Sequence, residues 1–460
     1  MKKAPLFASS SPPSGVEGVL YGEQTLLALD NFKISGLRFP GIFIHTLGLI
    51  KACAAKVNGA LGLLPGDMAQ AIEGAACEVA EGLWDEQFPV DVFQTGSGTS
   101  TNMNANEVIA ELAGRRLGYR VHPNDHVNLG QSSNDVIPTA IHVSAVLELQ
   151  RLKQSLHSLQ QAITERAEQF SKTVKTGRTH LMDAVPITIG QELSGWASQI
   201  EMDGDRLVDV EQRLLRLAQG GTAIGTGLNT HAEFAQRFSS TLVSRTGLHF
   251  QPTQNSFAAI SAQDTAVELS GQLRVTAITL LKIVTDMRWM NSGPTAGLGE
   301  IKLPELQPGS SIMPGKVNPV SLEAVGMACA QVIGLDTAIA TAAQDNRFQL
   351  ATMLPLLAFD LLQQLSLLTA ASAALEEQAI SCFEVAPVSL GQHVKHNVML
   401  VTALTPRIGY ELAGKIARTA LEQGREVIDV AYELSGLHEE ELHQLLDPLR
   451  MARPHDELTS

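Results

Sequence analysis

Apolar side chains recur every three or four residues along two long stretches of this chain. In the first stretch they are Leu149, Leu152, Leu156, Leu159 and Ile163. In the second stretch they are Leu193, Trp196, Ile200, Leu207, Val210, Leu214 and Leu217. This spacing matches one face of an α-helix, so the sequence predicts two long amphipathic helices. Because neither helix can bury its stripe alone, we expect the helices to pack as a bundle.

Three further segments carry helix-like patterns, at about residues 258–289, 320–343 and 354–378. The first of them is apolar on more than one face, as in "VTAITLLKIV", which indicates burial on several sides. Clusters of Gly and Pro separate these segments and predict loops at residues 220–227, 293–299 and 304–319.

The two ends of the chain differ from its centre. Residues 1–131 alternate short predicted helices with loops and form a mixed, mostly helical N-terminal domain. Residues 132–387 form the long-helix centre, and residues 388–460 form a small helical C-terminal domain. The first 15 residues, "MKKAPLFASSSPPSG", lack the apolar core of a signal peptide, so we expect a flexible tail there.

Composition excludes several classes of protein. The chain is 44% hydrophobic and only 5% aromatic, which favours helix. Its net charge is −15 without a block of Lys and Arg, so a nucleic-acid surface is not expected. The four cysteines form no CxxC pair, which favours free thiols over a zinc site. No apolar run reaches the roughly 20 residues of a membrane span, so we expect a cytoplasmic protein without one. We also expect no metal, since the cysteines form no ligand motif.

One loop carries an unusual mixture of residues, "GSSIMPGKVNP" from Gly309 to Pro319. It is not a phosphate-binding P-loop, because five residues separate Gly309 from Gly315 and a valine follows Lys316. A helix-entry turn is an equally good interpretation, with Asn318 as the cap and Pro319 in the first helical position.

Four other stretches share this polar character: "TGSGTSTNMNANE", "HPND" with "QSSNDVIP", "GRTHLMDAVP" and "GGTAIGTGLN". The first three place small polar side chains before predicted helices, whose N-termini attract carboxylates and phosphates. Each stretch alone is more often a simple helix cap, and His180 alone is more often structural. Together, a histidine, a lysine and several neutral donors favour a binding site for a small anion.

These motifs resemble the signature sequences of the fumarase/aspartase superfamily, from "LYGEQTLLALDNFKIS" to "MLVTALTPRIGY". Within it, "QSSND", "GRTHLMDAVPITIGQELSGW" and "GGTAIGTGLNTH" are most similar to class II fumarases. The resemblance implies a mainly α, three-domain subunit with a central bundle of five long helices. It also implies a homotetramer with a twenty-helix core, whose active sites each use segments of three subunits.

The resemblance further implies reversible hydration of fumarate to L-malate through an aci-carboxylate intermediate, without a metal or organic cofactor. Lys316 and Asn318 correspond to the residues that stabilise the developing charge. The other residues implied to bind the dicarboxylate substrate are Ser97, Thr99, Ser132, Ser133, Asn134 and Thr179.

For proton transfer, the resemblance assigns Ser310 as the base and His180 to the water side, with Glu323 paired to the histidine. A scheme in which His180 acts as the base through water stays open. A second dicarboxylate site is implied at His122, Asn124 and Asp125, although a capped turn explains these residues equally well.

Two other functions remain open at this stage. One is another lyase of the superfamily, such as aspartate ammonia-lyase, and the other is a non-catalytic homologue like the lens crystallins. The chain also departs from many fumarases by reading "NRFQLA" at residues 346–351, where they read "GNFELN".

Overall fold

The computed structural model describes residues 18–453, so the predicted N-terminal tail lies outside the described residues. The described chain begins with the α-helices α1 (Glu23–Asn31), α2 (Gly41–Ala60), α3 (Gly66–Ala80), α4 (Thr99–Leu117) and α5 (Ser133–Gln169). Helices α2 and α4 are longer than the short helices that the sequence predicts for this region.

The middle of the chain contains the longest helices and short strands. In order, these are β1 (Val174–Thr179), β2 (Met182–Thr188), α6 (Ile189–Leu214), β3 (Arg216–Leu217), α7 (Phe234–Thr246), β4 (Gln251–Pro252), α8 (Ser256–Ser261), α9 (Asp264–Met290), β5 (Ile301–Lys302), α10 (Val320–Ala343) and α11 (Leu354–Leu375).

The last part of the described chain is built from short elements. They are β6 (Glu384–Val385), α12 (Pro387–Lys395), α13 (Thr405–Ile408), α14 (Tyr410–Gln423), α15 (Val427–Leu434), α16 (Glu439–Leu445) and α17 (Pro448–Met451). Short 3₁₀ or π segments lie at Asp85–Gln87, Pro123–Val127, Glu376–Ile380 and Val398–Leu404. Strands pair as β1 with β2 antiparallel, β3 with β4 parallel and β5 with β6 antiparallel.

The two predicted stripes are buried as expected. Every residue of the first stripe lies on α5 and is at most 2% exposed. The second stripe is buried on α6, except that Leu217 lies in β3, beyond the end of the helix. The segment predicted at 258–289 is interrupted, because α8 ends at Ser261 and α9 begins at Asp264.

The chain divides into two compact units, each built from three segments. Unit 1 contains residues 1–153, 205–277 and 330–369, and unit 2 contains residues 154–204, 278–329 and 370–460. Each of the five longest described helices, α5, α6, α9, α10 and α11, contributes residues to both units. The three consecutive domains predicted from the sequence remain a prediction.

Polar contacts join neighbouring long helices within unit 1. The Asp336 carboxylate of α10 accepts hydrogen bonds from Ser270 Oγ at 2.7 Å and Arg274 Nη1 at 2.6 Å, both on α9. Gln364 of α11 donates to the Val332 carbonyl of α10 at 3.0 Å. Such contacts at buried positions fix which helix faces which, since an unpaired buried polar group is costly.

Two helical segments reach the length and apolar character of a membrane span. They are Val320–Ala343 and Leu354–Ile380, each with a mean hydropathy of 1.4 over 18 residues. The expectation that no such run exists is therefore wrong. Within the described structure, 61% of the second window is buried but only 33% of the first. The second has the burial of a core helix, whereas the first leaves apolar surface uncovered in a single chain.

In unit 2, the C-terminal elements share an apolar cluster of their own. Its buried side chains include Leu404, Ile416, Val430 and Leu442, contributed by successive short helices. These short helices at the C-terminal end agree with the pattern of short elements in the sequence.

Candidate active site

The first group of predicted binding residues lies at the N-terminus of α4, in unit 1. Gly98 adopts a left-handed conformation with φ of 73°, and an added Cβ would lie 2.9 Å from Ile137 Cγ1. Glycine is therefore required at this tight turn. The Ser97 and Thr99 hydroxyl oxygens on either side of it are 2.8 Å apart. The turn thus brings two predicted binding hydroxyls together at a helix N-terminus.

The second group lies at the start of α5, also in unit 1. This helix begins at Ser133, so the polar residues Ser133 and Asn134 lie in its first turn rather than before it, and Pro138 lies inside it. Ser132 Oγ accepts a hydrogen bond from the Asn134 backbone N–H at 3.2 Å, and Asn134 Nδ2 donates to the Ala223 carbonyl at 2.7 Å. Asn102 Nδ2 of α4 donates to Ser133 Oγ at 3.0 Å, which links the two groups.

Two buried charges that the sequence did not single out hold this second group. The Asp135 carboxylate accepts from the backbone N–H of Ser132 at 2.8 Å and of Thr222 at 2.9 Å. Lys51 is 0% exposed, and its ammonium donates to Asn128 Oδ1 at 2.8 Å and Gln131 Oε1 at 3.1 Å. A lysine at a buried position of the apolar helix α2 was the sequence signal that could have revealed this support.

Burial shifts the pKa of Lys51 and of Asp135 in the directions that favour their neutral forms. Desolvation lowers the pKa of Lys51 to about 7, and the charge of Asp135 opposes this change. Desolvation likewise raises the pKa of Asp135 to about 6, against the hydrogen bonds it accepts and the charge of Lys51. The ionised groups are kept in place by hydrogen bonds, as buried charges must be.

His180 lies at the tip of a β-hairpin in unit 2, not before a helix as the sequence predicted. Thr179 ends β1, Met182 begins β2, and the two residues pair across the turn. His180 and Leu181 have φ values of 53° and 60°, in the left-handed region that glycine and asparagine prefer. His180 is exposed on this strained turn, and strain of this kind is concentrated at functional sites.

A buried ionic cluster anchors the base of this hairpin. Glu300 is 0% exposed, and its carboxylate lies 2.7 Å from Arg178 Nη1 and 3.1 Å from Lys175 Nζ. Lys175 also pairs with Glu192 of α6. Because Glu300 directly precedes β5, the cluster ties the hairpin to the chain that leads into the loop from Gly309 to Pro319, called the signature loop below.

The signature loop closes on itself through three hydrogen bonds. Gly309 N–H donates to the Lys316 carbonyl at 3.0 Å, Lys316 N–H donates to the Met313 carbonyl at 3.2 Å, and Asn318 Nδ2 donates to the Gly309 carbonyl at 2.6 Å. The Asn318 side chain thus closes the loop. Ser310 Oγ accepts from the N–H groups of Ile312 at 3.3 Å and Met313 at 3.1 Å.

Three predicted site residues meet in one cavity of unit 2. It has a volume of about 1100 Å³, and Lys316, Asn318 and Glu323 are among its lining residues. Glu323 lies in the first turn of α10. Among the described residues, no hydrogen bond or ion pair joins His180 to Lys316 or Glu323.

The residues of the predicted second site share one turn in unit 1. His122 Nδ1 accepts from the Asp125 N–H at 3.1 Å and lies 3.3 Å from Asp125 Oδ2. His122 and Asn124 line a cavity of about 800 Å³ together with Arg115 and Arg120. The geometry is that of a capped turn beside a cavity whose wall contains these two cations and the carboxylates of Glu23, Glu107 and Glu111.

No group of three or more His, Cys, Asp or Glu side chains is arranged to hold a metal ion within residues 18–453.

The sequence matches two families along most of its length. Residues 15–334 match the family described as "Lyase", and residues 400–453 match "Fumarase C C-terminus". The chain belongs to this lyase family.

Within the family, its relatives are class II fumarate hydratases. The chain is 53% identical to Fumarate hydratase class II 2 of Pseudomonas aeruginosa, over 94% of each protein. It is 54% identical to Fumarate hydratase class II of Xylella fastidiosa, over 93% of this chain and 91% of the relative. The corresponding protein of Thermus thermophilus is 46% identical over 95% of each.

Solved structures show the same fold. A class II fumarase from Schistosoma mansoni superposes with a TM-score of 0.92 at 37% identity, over 95% of this chain and 96% of the other. A fumarate lyase:delta crystallin protein from Brucella melitensis, bound to cobalt, gives 0.91 at 41% identity with the same coverage. The predicted fold class, mainly α with a central bundle of five long helices, is confirmed.

Proposed function

We propose that this chain catalyses the reversible hydration of fumarate to L-malate. Relatives that share about half of its residues along more than nine-tenths of its length are named class II fumarate hydratases. The structural observation that carries the proposal is the signature loop. In this loop the Ser310 oxygen accepts hydrogen bonds from two backbone N–H groups. The loop also places Lys316 and Asn318 in the wall of one cavity.

The reaction requires removal of a weakly acidic proton next to a carboxylate. Negative charge then moves onto that carboxylate and gives an aci-carboxylate. A fixed ammonium and a neutral donor near that oxygen stabilise the charge as it develops. Lys316 supplies the ammonium, and Asn318, hydrogen-bonded to Gly309, lies two residues away in the same loop. The other carboxylate binds at Ser97, Thr99, Ser132, Ser133, Asn134 and Thr179.

Ser310 acts as the base in this proposal. A serine hydroxyl is too weak a base unless its oxyanion is stabilised, and the N–H groups of Ile312 and Met313 already point at its oxygen. Closure of the exposed loop over substrate excludes water and strengthens these bonds. His180 exchanges the proton on the water side, as an imidazole can near neutral pH, and Glu323 pairs with it.

A complete site requires more than one copy of the chain. No hydrogen bond or ion pair joins His180 to Lys316 or Glu323 among the described residues, although the proposed mechanism pairs His180 with Glu323 and places both beside the substrate that Lys316 binds. Apolar surface on α10 supports assembly, since Met327 is 69% exposed and only 33% of the helix's apolar window is buried. We propose a cytoplasmic homotetramer with a twenty-helix core and active sites shared by three subunits.

The cavity beside His122 supports a second dicarboxylate site. Arg120 in its wall adds a positive charge, and Asn124 adds amide donors. Substitution of His122 by Asn is expected to weaken this second binding event and leave kcat unchanged. Equilibrium dialysis with fumarate measures it, and a single binding site per subunit in the wild-type protein would remove the proposal.

The activity is tested by offering the purified protein L-malate and, separately, L-aspartate, and recording fumarate absorbance. We expect fumarate from L-malate only. Fumarate from L-aspartate alone would identify an ammonia-lyase, and none from either substrate would favour a non-catalytic homologue. Ser310→Ala should lower kcat by at least about 100-fold, as expected for loss of a general base. Turnover within a few-fold of wild type would reject Ser310 as the base.

A further inference from the structure

The proposed carboxylate-binding residues rest on an ammonium group that has no access to solvent. Lys51 projects from α2, a helix with a mostly buried surface, and is itself 0% exposed. In its charged form this side chain can only donate hydrogen bonds. The two acceptors that it contacts, Asn128 Oδ1 and Gln131 Oε1, belong to the turn that leads into Ser132 and Ser133.

This contact fixes the orientation of one side-chain amide. The oxygen of Asn128 must face Lys51, because the reverse orientation would point an NH₂ group at an ammonium. The Asn128 NH₂ group then donates to the Gln131 carbonyl at 3.2 Å. In this orientation Asn128 turns its oxygen toward both Lys51 and Asn102, and that oxygen can accept a hydrogen bond from each of them.

The orientation is passed on to a second amide and then to a hydroxyl. Asn102 Nδ2 lies 3.3 Å from Asn128 Oδ1 and 3.0 Å from Ser133 Oγ, and it donates to both. The opposite orientation of Asn102 would place its oxygen against Asn128 Oδ1, so that two acceptors would face each other. Ser133 Oγ therefore accepts from Asn102, and its own proton is left free to donate elsewhere.

We infer that Lys51 is a positioning residue that sets the hydrogen-bond polarity of Ser133, so that the hydroxyl donates to a substrate carboxylate. The inference rests on the proposed function, because it concerns how the dicarboxylate is bound. Donation is the useful polarity, since an ionised carboxylate can only accept.

Burial of Lys51 and Asn102 costs free energy, which indicates that these residues do more than stabilise the fold. Asn102 Oδ1 is buried without a hydrogen-bond partner among the described residues, although Asn102 is 1% exposed. Burial also disfavours the charged form of Lys51. An apolar side chain at this position of α2 would avoid that penalty, so stability alone does not explain a lysine here.

The test compares Lys51→Met with Asn58→Leu. Met keeps the length of the lysine side chain but removes the donors and the charge. Asn58 lies on the same helix and donates to the Leu129 carbonyl of the same turn at 2.9 Å, but has no link to Asn102 or Ser133. It is therefore the matched control for a general loosening of the turn.

Lys51→Met is expected to raise KM for L-malate about tenfold, with kcat changed less than about threefold, since a donor that binds ground state and transition state alike affects KM. Asn58→Leu should lower the urea midpoint without this rise in KM. In a Ser133→Ala background, Lys51→Met should have no further effect on KM. An unchanged KM in Lys51→Met, or full additivity with Ser133→Ala, would overturn the inference.

Asn102→Asp decides the matter if Lys51→Met does not fold. An ionised aspartate only accepts, so it would draw the Ser133 proton toward itself and raise KM by a similar factor. An unchanged KM in a folded Asn102→Asp protein contradicts the inference. Wild-type protein that releases no fumarate from L-malate defeats the proposed function instead, which keeps the two failures distinct.

Discussion

Asp91 shows how a single carboxylate organises backbone in unit 1. It accepts hydrogen bonds from Gly36 N–H at 2.7 Å and from Ser35 N–H, Ser35 Oγ and Phe93 N–H, each at 2.8 Å. Burial by itself raises the pKa of this carboxyl, but the hydrogen bonds together outweigh it and bring the pKa to about 2. The ionised form is thus favoured in the folded protein, and the carboxylate joins the loop before α2 to the loop before α4.

Asp91→Asn is expected to lower the free energy of unfolding by about 2 kcal/mol at neutral pH, at 1.36 kcal/mol per pKa unit. Because the folded pKa lies below the unfolded value of 3.8, this stabilisation is complete above pH 3.8 and is lost as pH falls through about 2. The loss should therefore be equal at pH 5 and pH 8 in urea unfolding at fixed protein concentration.

Asp30→Asn is the control for this experiment. Asp30 pairs with Lys33, but its side chain is 79% exposed, so solvent screens the interaction and the urea midpoint should hardly move. Equal losses of unfolding free energy in the two variants would show that the buried hydrogen bonds of Asp91 stabilise the protein no more than the exposed ion pair of Asp30 does.

At the scale of elements, the two segments proposed to be catalytic owe their shapes to short-range backbone geometry. The hairpin of β1 and β2 forces His180 and Leu181 into positive φ, and the signature loop is closed by its own hydrogen bonds. Pairing of Thr179 with Met182 leaves a two-residue turn, and positive φ at both central residues is the type I′ geometry that such hairpins favour. Sequence patterns predicted the loop, but they missed the hairpin because the polar side chains of "GRTHLMDAVP" were interpreted as the residues before a helix.

Gly309→Ala tests whether the closed form of the loop matters for catalysis. An added Cβ would lie 2.1 Å from the Lys316 carbonyl oxygen, so the loop must open or shift. Small displacements of catalytic groups are costly, and we expect kcat to fall by about tenfold or more. Since the loop is largely exposed, the urea midpoint should stay near the wild-type value.

Gly66→Ala serves as the comparison, because nothing lies within 4 Å of the added Cβ at the start of α3. Its kcat should equal that of wild type. If Gly309→Ala retained full kcat as well, the closed loop described above would not be the catalytic conformation.

At the scale of the whole molecule, the proposed site residues come from both units of the chain. Among the residues proposed to act on the substrate, unit 1 contains Ser97, Thr99, Ser132, Ser133 and Asn134. Unit 2 contains Thr179, His180, Ser310, Lys316, Asn318 and Glu323. Sites shared between subunits make a specific prediction about mixed oligomers.

Co-expressed His180→Asn and Lys316→Met chains should regain activity that neither variant has alone. When each segment comes from a different chain, each is wild type in half of the chains, so about a quarter of the sites are intact. Activity of the purified mixed oligomer measures this fraction. A mixture as inactive as its parents would show that both residues act from one chain, and a monomer in light scattering would exclude sharing altogether.

By itself, the sequence determined the long helices, the positions of the loops and the family. These depend on local periodicity and on Gly and Pro, which act within a few residues: α10 was predicted at 320–343, and it spans Val320–Ala343. Only the tertiary structure revealed Lys51 behind Ser133 and Glu300 beneath the His180 hairpin. Those contacts join residues more than 70 positions apart, and a buried charge is meaningful only through the partners that folding brings to it.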